Sequence, residues 1–600
     1  MSIAAVDFET FYSSEVTIVE QGIYHYLRHP ESDIYLVSIA TDTGIRYVGH
    51  PKDFDWSQIA GPEWTWLAHN AQFDQPVFER LQELEIGNTC SVSELAAWHD
   101  TADLTAFLCY PRSLKEASQH LLGQKISKDT RDKMKGQRWE AMSPEFRAEV
   151  EAYALKDAEN CLEIWLQHGH KWPETEREIS SLTRHMALRG VPLDIPGLEK
   201  DLNKLQLDMW DLRRVIPWKD EPHRNATKRR KGETMALLSP IALREACIAN
   251  GLEAPGSFAQ DDPEAEAFFE EYSTKFPWVA AVRDYRKAGK HQATMATMLS
   301  RAKEDGWMSY GLKYAGAHTG RDAGDNPNMQ NLPKGLVSGV DVRAKIKAPE
   351  GYTLAIVDLS QIEPRCLHWL AEDNKTLQYI RQIPDLYEAQ ARAWGIWNEE
   401  GSMKKVAPEI RHMMKQLALG LGYGMGANRF SSVAGVEESK ALYLTQLYRE
   451  KNRPVTKLWR TLESAMAKVA HDKGDDKDFE ICLPSGRSLK YRGVTIVAGK
   501  LSASIPRMGK LMPLKFWGGV LTENLVQATA RDVFMHQCLE IEKSGIPVIM
   551  RVHDEAVCLV KLDEAEAKLE QIIKLMSTAP AWAEGLPLSA EGSLSQTYKK

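Results

Sequence analysis

The chain has 600 residues, 43% of them hydrophobic, and a formal net charge of −8. A chain of this length is expected to form several domains, because single cores rarely grow beyond about 250–300 residues. No apolar run approaches the roughly 18–20 residues that cross a bilayer, and the strand pattern near the N-terminus leaves no room for a signal peptide. The eight cysteines show no C-x-x-C pairing, so we expect reduced thiols in a cytoplasmic protein without membrane contact.

The first part of the chain, to about residue 170, alternates strand-like and helix-like segments and predicts an α/β domain. In the segment VDFET a strand places Asp7 and Glu9 on one face, because side chains alternate along a strand. The segment HNAQFD adds Asp74. Tyr153 and Asp157 share a face of a predicted helix. Four carboxylates and a tyrosine can bind two metal ions and orient a water for phosphodiester hydrolysis.

A long helical region follows, which we expect to be interrupted by a basic loop near 219–233 and by the acidic, proline-containing stretch Asp261–Glu271. Nucleic-acid binding depends on local patches more than on net charge. Basic residues cluster twice here, although solvated charged faces explain either cluster equally well. The first cluster is Arg224, Lys228, Arg229, Arg230 and Lys231, and the second is Arg283, Arg286, Lys287 and Lys290.

From about residue 341 a strand–helix–strand order resumes and ends in a hairpin-like segment, VIMRVHDEAVCLV, and an amphipathic helix at 563–577. Asp358 closes the apolar run TLAIVD, and Asp554 closes PVIMRVHD. Two aspartates at the ends of two strands can hold a pair of divalent cations for in-line phosphoryl displacement.

Between these acids, Arg411, Lys415, Leu419 and Tyr423 recur every fourth residue in a stretch of strong helix formers. At about 100° per residue they fall within an arc of roughly 120° on one helix face. An isolated Arg/Lys pair at this spacing is usually a solvated face. Placed between two metal-binding acids, the cations instead suggest a triphosphate site and a nucleotidyl transferase.

These segments resemble motifs A, B and C of the family A (DNA polymerase I-like) DNA polymerases. The motifs run from Asp358 to Arg365, from Arg411 to Gly424 and from Val552 to Glu555. The blocks HTGR, ending at Arg321, and PNMQNLP resemble the family's primer–template block, and LPSGR and ENLVQ resemble later blocks of the family, particularly in its bacteriophage members. Departures from the usual pattern are Leu359, Pro364 and Leu419.

The resemblance implies a multidomain α/β protein in which an RNase H-like exonuclease domain precedes a right-hand polymerase domain. The implied divisions are 1–170 (3′→5′ exonuclease), 171–340 (thumb and start of the polymerase), 341–385 (palm), 386–515 (fingers) and 516–600 (palm, second part).

The resemblance also implies roles for particular side chains. Each site would hold two Mg²⁺ ions, which Mn²⁺ can replace. At the polymerase site the ions would be bound by Asp358 and Asp554, with Glu555 nearby. At the exonuclease site they would be bound by Asp7, Glu9, Asp74 and Asp157, and Tyr153 would orient the attacking water. Residues implied in nucleotide binding are Gln361, Glu363, Arg411, Lys415, Leu419 and Tyr423, with Glu363 packing against Tyr423 as a barrier to ribonucleotides. Residues implied in DNA binding are Arg321, Asn328, Gln330, Gln527 and His553. For Arg321 a loop salt bridge remains an alternative, and for Leu419 a place in the core.

The expected function is DNA-directed DNA synthesis with proofreading. The chain begins at the exonuclease domain, without room for a 5′→3′ flap nuclease, which favours a replicative phage enzyme in the host cytoplasm. Expected partners are primer–template DNA, deoxynucleoside triphosphates and a helicase, single-strand-binding protein or processivity factor, with a monomeric chain. Two alternatives are a single-subunit RNA polymerase, disfavoured by the exonuclease motifs and Glu363, and a non-catalytic binding protein, disfavoured because clustered acids without metals repel one another.

Overall fold

The computed structural model describes residues 1–599 except 93–94, 127–128, 224–227, 229–232, 260–261, 473 and 475–476. The predicted basic loop residues Arg224, Arg229, Arg230 and Lys231 therefore lie outside the described residues. The chain divides into two compact units. The first comprises Met1–Gly190, Ser309–Asn326 and Gly351–Leu594, and the second comprises Val191–Met308, Pro327–Glu350 and Ser595–Lys600. Among the described helices, none combines the length and the apolar character needed to cross a membrane.

The first 190 residues form a five-stranded sheet with helices around it, which confirms the α/β alternation predicted for this region. The strands are β1 (Ser2–Thr10), β2 (Ile34–Thr41), β3 (Arg46–Gly49), β4 (Gly61–Ala68) and β5 (Leu95–Asp100), in the spatial order β3-β2-β1-β4-β5. The helices are α1 (Ile18–Arg28), α2 (Ala71–Glu83), α3 (Thr101–Phe107), α4 (Leu114–Ala117), α5 (Asp129–Met134), α6 (Pro144–His168) and α7 (Glu174–Arg189).

Strand β1 lies in the middle of this sheet, antiparallel to β2 and parallel to β4. Its apolar residues pack into a core rich in aromatic side chains, with Trp56 and Trp66 fully buried. Burying such large rings contributes much of a core's stability, because apolar area removed from water stabilises the fold by about 25 cal/mol per Å². The carboxylates of β1 are thereby carried on a rigid strand.

The second unit is mostly helical. Its elements are β6 (Val191–Pro192), α8 (Ile195–Val215), α9 (Pro240–Ala249), α10 (Pro263–Tyr272), α11 (Pro277–Ser300) and β7 (Trp307–Met308), with β6 paired to β7. The prediction that Asp261–Glu271 interrupts the helices is wrong. Asp262 caps α10 by accepting a hydrogen bond from the Glu264 amide at 2.9 Å, and Pro263 is tolerated in the first turn, where its missing N–H has no partner to lose.

The rest of the first unit begins with β8 (Leu312–Lys313) and β9 (Ala323–Gly324), followed by β10 (Tyr352–Leu359). A run of helices comes next: α12 (Ile362–Leu370), α13 (Asn374–Gln382), α14 (Leu386–Trp394), α15 (Met403–Val406), α16 (Pro408–Leu421), α17 (Ala427–Ala434), α18 (Glu438–Lys451) and α19 (Arg453–His471). Four antiparallel strands in sequential order then form a second sheet: β11 (Phe479–Cys482), β12 (Ser488–Val497), β13 (Lys500–Arg507) and β14 (Lys510–Phe516).

The long helix α20 (Gly518–Lys543) is buried along most of its length and packs on that second sheet through Leu521, Leu525 and Ala528. It leads into β15 (Val548–Val552), β16 (Glu555–Lys561), α21 (Ala565–Met576) and β17 (Ala590–Ser595). Strand β10 lies between β16 and β17 in a sheet of order β15-β16-β10-β17. The predicted hairpin is confirmed as β15–β16, and the predicted C-terminal helix is confirmed as α21.

Candidate active sites

The ends of β10 and of the β15–β16 hairpin bring the acids of the first candidate site together. Asp358 lies directly opposite Glu555 in the antiparallel pairing of β10 with β16. The Leu359 amide donates a hydrogen bond to the Asp554 carbonyl oxygen at 3.1 Å. His553, with φ of 59°, supplies the left-handed conformation that lets the chain reverse at the hairpin turn. The two predicted aspartates therefore emerge at the same edge of one sheet, held by buried strands.

These side chains offer carboxylate oxygens, which are the ligands that Mg²⁺ prefers. Asp358 and Asp554 are half-buried, whereas Glu555 is buried. Within the described parts of the chain, no three His, Cys, Asp or Glu side chains are grouped as metal ligands. The donor chemistry of the aspartate pair fits divalent cations that would also take oxygens from a bound substrate.

Helix α16 carries the predicted phosphate-binding cations. The Arg411 guanidinium bonds the Asp385 carboxylate at 2.5 Å and lies over the Tyr387 ring. Lys415 is exposed, and among the described residues no carboxylate lies within ion-pairing distance of it. Leu419 is 47% exposed, so the alternative that it faces the core is wrong. Two cations and an exposed leucine thus lie along this helix, one of the cations already paired.

Tyr423 does not lie on α16. The prediction that Tyr423 shares one helix face with Arg411, Lys415 and Leu419 is therefore wrong for Tyr423. The helix ends at Leu421, and Gly422 forms its C-cap. Glycines weaken helices, and Gly424 adopts φ of 80°, a conformation unsuited to a continuing helix. Tyr423 is nevertheless brought to Glu363, as predicted, because the chain turns there.

Glu363 is held from two sides. The Tyr423 hydroxyl donates to Glu363 Oε2 at 3.5 Å, and Arg321 Nη2 donates to Oε1. Burial, with Glu363 beside it, raises the pKa of the Tyr423 phenol, so the hydroxyl stays protonated and is the donor. Arg321 therefore makes the salt bridge that the sequence left as an alternative to DNA contact.

The remaining predicted binding residues have modest local roles. Gln361 adopts φ of 50°, and its Oε1 accepts a weak bond from the Leu386 amide at 3.5 Å. Gln527 lies on α20 and bonds Glu523 at 3.3 Å. Asn328 and Gln330 lie in the second unit, where Asn328 accepts from the Gln330 amide at 3.1 Å and caps a short turn.

The second candidate site lies on β1 and its neighbours. Asp7 and Glu9 project from the middle strand, and the Phe8 amide donates to Asp74 Oδ1 at 3.2 Å. Tyr153, on α6, hydrogen-bonds Asp157 one turn further along the helix. The strand, α2 and α6 thus bring all of the predicted residues to one place.

The electrostatics of this site are those of crowded acids. Burial raises the pKa of Asp7 well above its ordinary value, and Asp74, Glu9 and Asp157 raise it further. Burial, together with Asp157, raises the pKa of Glu9 to about 8. Buried like charges need protons or cations between them. A set of carboxylates that crowd one another in this way fits bound divalent cations.

The sequence is similar to those of known DNA polymerases. The model of DNA polymerase family A matches residues 221–473. The DNA polymerase of Bacillus phage SP02 is 28% identical over 343 residues, which cover 48% of this chain and 52% of that protein. The thermostable DNA polymerase I of Thermus filiformis is 26% identical over 441 residues, covering 71% of this chain and 47% of that protein.

The matched part of the chain is similar to DNA polymerase family A. The fold of the chain matches the POL domain of Pol1 from M. smegmatis, solved in complex with DNA primer-template and dNTP, with a TM-score of 0.69 over 100% of this chain and 95% of that one. Sequence identity in that superposition is 16%, so the likeness is one of fold. The chain spans about half the length of the curated relatives it matches.

Two further residues belong to the second site although sequence reasoning missed them. Asp100, at the end of β5, accepts from the Asn70 and Ala71 amides at 3.1 and 2.9 Å and so fixes the turn that carries Asp74. Arg131 opposes the raised pKa of both Asp7 and Glu9. Asp100 could have been predicted from the sequence, because an acid at the end of an apolar strand is a recognisable pattern. Arg131 could not, because it lies in a charged stretch without such a pattern.

Proposed function

We propose that the chain is a template-directed DNA polymerase that extends a primer 3′ end with deoxynucleoside triphosphates. One observation carries the proposal: Asp358 and Asp554 emerge at one sheet edge, while the segment after α16 is tied to the same region through Tyr423 and Glu363. The aspartates proposed to bind metal ions and the cations proposed to bind the triphosphate therefore lie in the same compact unit.

In this proposal the primer 3′-oxygen attacks the α-phosphorus of the incoming nucleotide, and pyrophosphate leaves. Bound divalent cations would activate the hydroxyl and offset charge on the phosphates. Lys415 binds the triphosphate directly, and Arg411 joins it by exchanging Asp385 for phosphate oxygens. Glu363 occupies the volume that a 2′-hydroxyl would need, so the site selects deoxynucleotides.

The test is primer extension with Asp358→Asn and Asp554→Asn, which keep side-chain shape and remove charge. Asp563→Asn is the matched control, because Asp563 is an exposed acid just beyond β16. We expect both site variants to lose extension by at least about a thousandfold while the control retains it. Near-normal extension by either site variant would show that its carboxylate is not a metal ligand of this reaction.

We further propose that residues 1–170 form a 3′→5′ proofreading exonuclease of the RNase H-like class. The strand order β3-β2-β1-β4-β5, in which only β2 runs antiparallel to the other strands, supports the fold, and the crowded acids support the chemistry. Asp7, Glu9, Asp74 and Asp157 would hold the cations, and Tyr153 would orient the attacking water.

Degradation of a mismatched primer end tests this second activity. Asp7→Asn/Glu9→Gln should remove degradation and spare extension, because the two sites use separate acids. Glu63→Gln, an exposed glutamate on β4 of the same sheet, is the control and should degrade normally. Continued degradation by the purified double variant would disprove the assignment.

The remaining roles follow from the same proposal. Residues 171–340 would form the thumb and the start of the polymerase, 341–385 and 516–600 the palm, and 386–515 the fingers. Mg²⁺ is the proposed ion, with Mn²⁺ as a substitute, and primer–template DNA is the partner. A replicative role for a phage genome in the host cytoplasm is supported by similarity to the phage SP02 enzyme. Deletion of the gene from such a genome should abolish its replication.

A further inference from the structure

Three buried arginines surround the short segment that carries Arg321. Arg487 Nη2 donates to the Thr319 carbonyl at 2.8 Å, and Arg531 Nε donates to the Gly320 carbonyl at 2.9 Å. On the other side of Arg321, Arg551 Nη2 bonds Asp322 Oδ2 at 2.7 Å. The three side chains are at most 6% exposed. We call these three residues, Arg487, Arg531 and Arg551, the arginine clamp.

The clamp is itself anchored by buried acceptors. Asp532 accepts from Arg487 at 2.9 Å and from Arg531 at 3.1 Å. Arg531 also pairs with Glu176 on α7 at 2.6 Å, and Arg551 bonds the Thr183 hydroxyl on the same helix at 2.6 Å. Burial alone would raise the pKa of Glu176, but Arg531 beside it keeps that pKa below its ordinary value, so the acid is charged.

Such a network is costly to disturb, because a buried charge that loses its partner keeps the full desolvation penalty. The segment is also fitted closely against it. Gly320 has φ of 88°, and a Cβ there would lie 2.6 Å from Arg487 Nη1. The backbone on both sides of Arg321 is therefore held in one place.

Arg321 itself is not part of the clamp. Its side chain is 30% exposed and turns away to pair with Glu363 Oε1, while the Tyr423 hydroxyl donates a weak hydrogen bond to Oε2. A glutamate has three rotatable torsions, so a single contact leaves its carboxylate free to swing. Two contacts on its two oxygens hold the group at one position.

We propose that the arginine clamp consists of positioning residues that act through Arg321 to keep Glu363 where it excludes a ribose 2′-hydroxyl. The proposal rests on the proposed polymerase function and on Glu363 as the barrier. It assigns sugar selection to residues from α20, the β15 strand and the loop before β12, none of which contacts Glu363 in the hydrogen bonds described above. Loosening the clamp lets Arg321 shift, and Glu363 then loses one of its two supports.

The test compares kcat/KM for single incorporation of dATP and of ATP opposite thymine. Arg487→Lys and Arg531→Lys keep the positive charge but lose the guanidinium group, which bonds a carboxylate and a backbone carbonyl at the same time. We expect each variant to lower the dATP/ATP ratio of kcat/KM roughly tenfold, a size typical of residues that act through an intermediate contact. Arg492→Lys is the matched control. Arg492 also joins an acid, Asp478 at 2.5 Å, and a carbonyl, Leu108 at 3.1 Å, but lies outside the clamp.

A second arm separates positioning from mere destabilisation. In a Glu363→Ala background the clamp variants should leave the ratio unchanged, because the group through which they act is gone. Thr183→Val, which removes only the hydroxyl that accepts from Arg551, serves if the lysine variants do not fold, and it should lower the ratio in wild type only. A ratio that stays constant while dATP use falls, or that falls equally without Glu363, overturns the proposal. If the wild-type protein extends no primer at all, the proposed polymerase function is refuted instead.

Discussion

Replacing Glu176 by glutamine should destabilise the first unit strongly at neutral pH. Arg531 Nη1 lies 2.6 Å from Glu176 Oε1, and their side chains are 1% and 11% exposed. Removing one charge of a buried pair costs about 3–5 kcal/mol. Asp532 lies 3.1 Å from the same guanidinium nitrogen and keeps part of the compensation, so we expect the lower end, about 3 kcal/mol.

The effect should depend on pH with a defined sign. The pKa of Glu176 is lowered in the fold, burial being opposed by Arg531, Arg487 and the Tyr314 hydroxyl. A lowered folded pKa means that the carboxylate stabilises the fold fully above its unfolded pKa of about 4.3, and that this contribution is lost as the pH falls through the folded value. The difference between wild type and Glu176→Gln should therefore shrink below about pH 4.

Urea unfolding followed by tryptophan fluorescence and circular dichroism measures this difference. For an m-value of about 3 kcal/mol per M, the midpoint should fall by about 1 M at pH 7. Glu178→Gln is the matched control: Glu178 lies on the same helix and pairs with Lys543 of α20 at 3.0 Å, but that pair is exposed. Exposed pairs contribute about 0.2–1 kcal/mol. Equal losses in the two variants, or a Glu176→Gln loss that persists in acid, would refute the reasoning.

Three further outcomes are expected. Lys415→Ala should raise KM for all four nucleotides alike, whereas Lys404→Ala, at an exposed position on α15, should not; a loss confined to one base would point to base readout instead. Asp385→Asn keeps the cap of α14 and removes the charge that holds Arg411, so KM should fall about fivefold, the equivalent of about 1 kcal/mol, and a raised KM would contradict the exchange of partners. Leu419→Tyr should relax discrimination against dideoxynucleotides in competition assays, because the exposed leucine has no hydroxyl to replace a missing 3′ group; equal use by both proteins would show that position 419 does not face the sugar.

The sequence predicted those features that depend on local periodicity. Asp7 and Glu9 share a strand face because side chains alternate along a strand, and Asp554 follows an apolar run that forms the buried strand β15. The hairpin at β15–β16 and the helix α21 were predicted for the same reason. Where local signals conflict, prediction failed: Pro263 looked like a break but begins a helix, and α16 ends at Leu421, where Gly422 and Gly424 flank Tyr423.

Only the tertiary structure decided which charged side chains meet. Nothing in the motif HTGR indicates that Arg321 pairs with Glu363, or that its neighbours are held by Arg487 and Arg531 from segments more than 160 residues away. A charged side chain on its own predicts only exposure. Its partner is set by which elements bury it together, because desolvation is tolerable only where an opposite charge and matching hydrogen bonds are already in place. The candidate metal-binding acids could therefore be predicted from the sequence, whereas the buried arginine network arises from long-range packing.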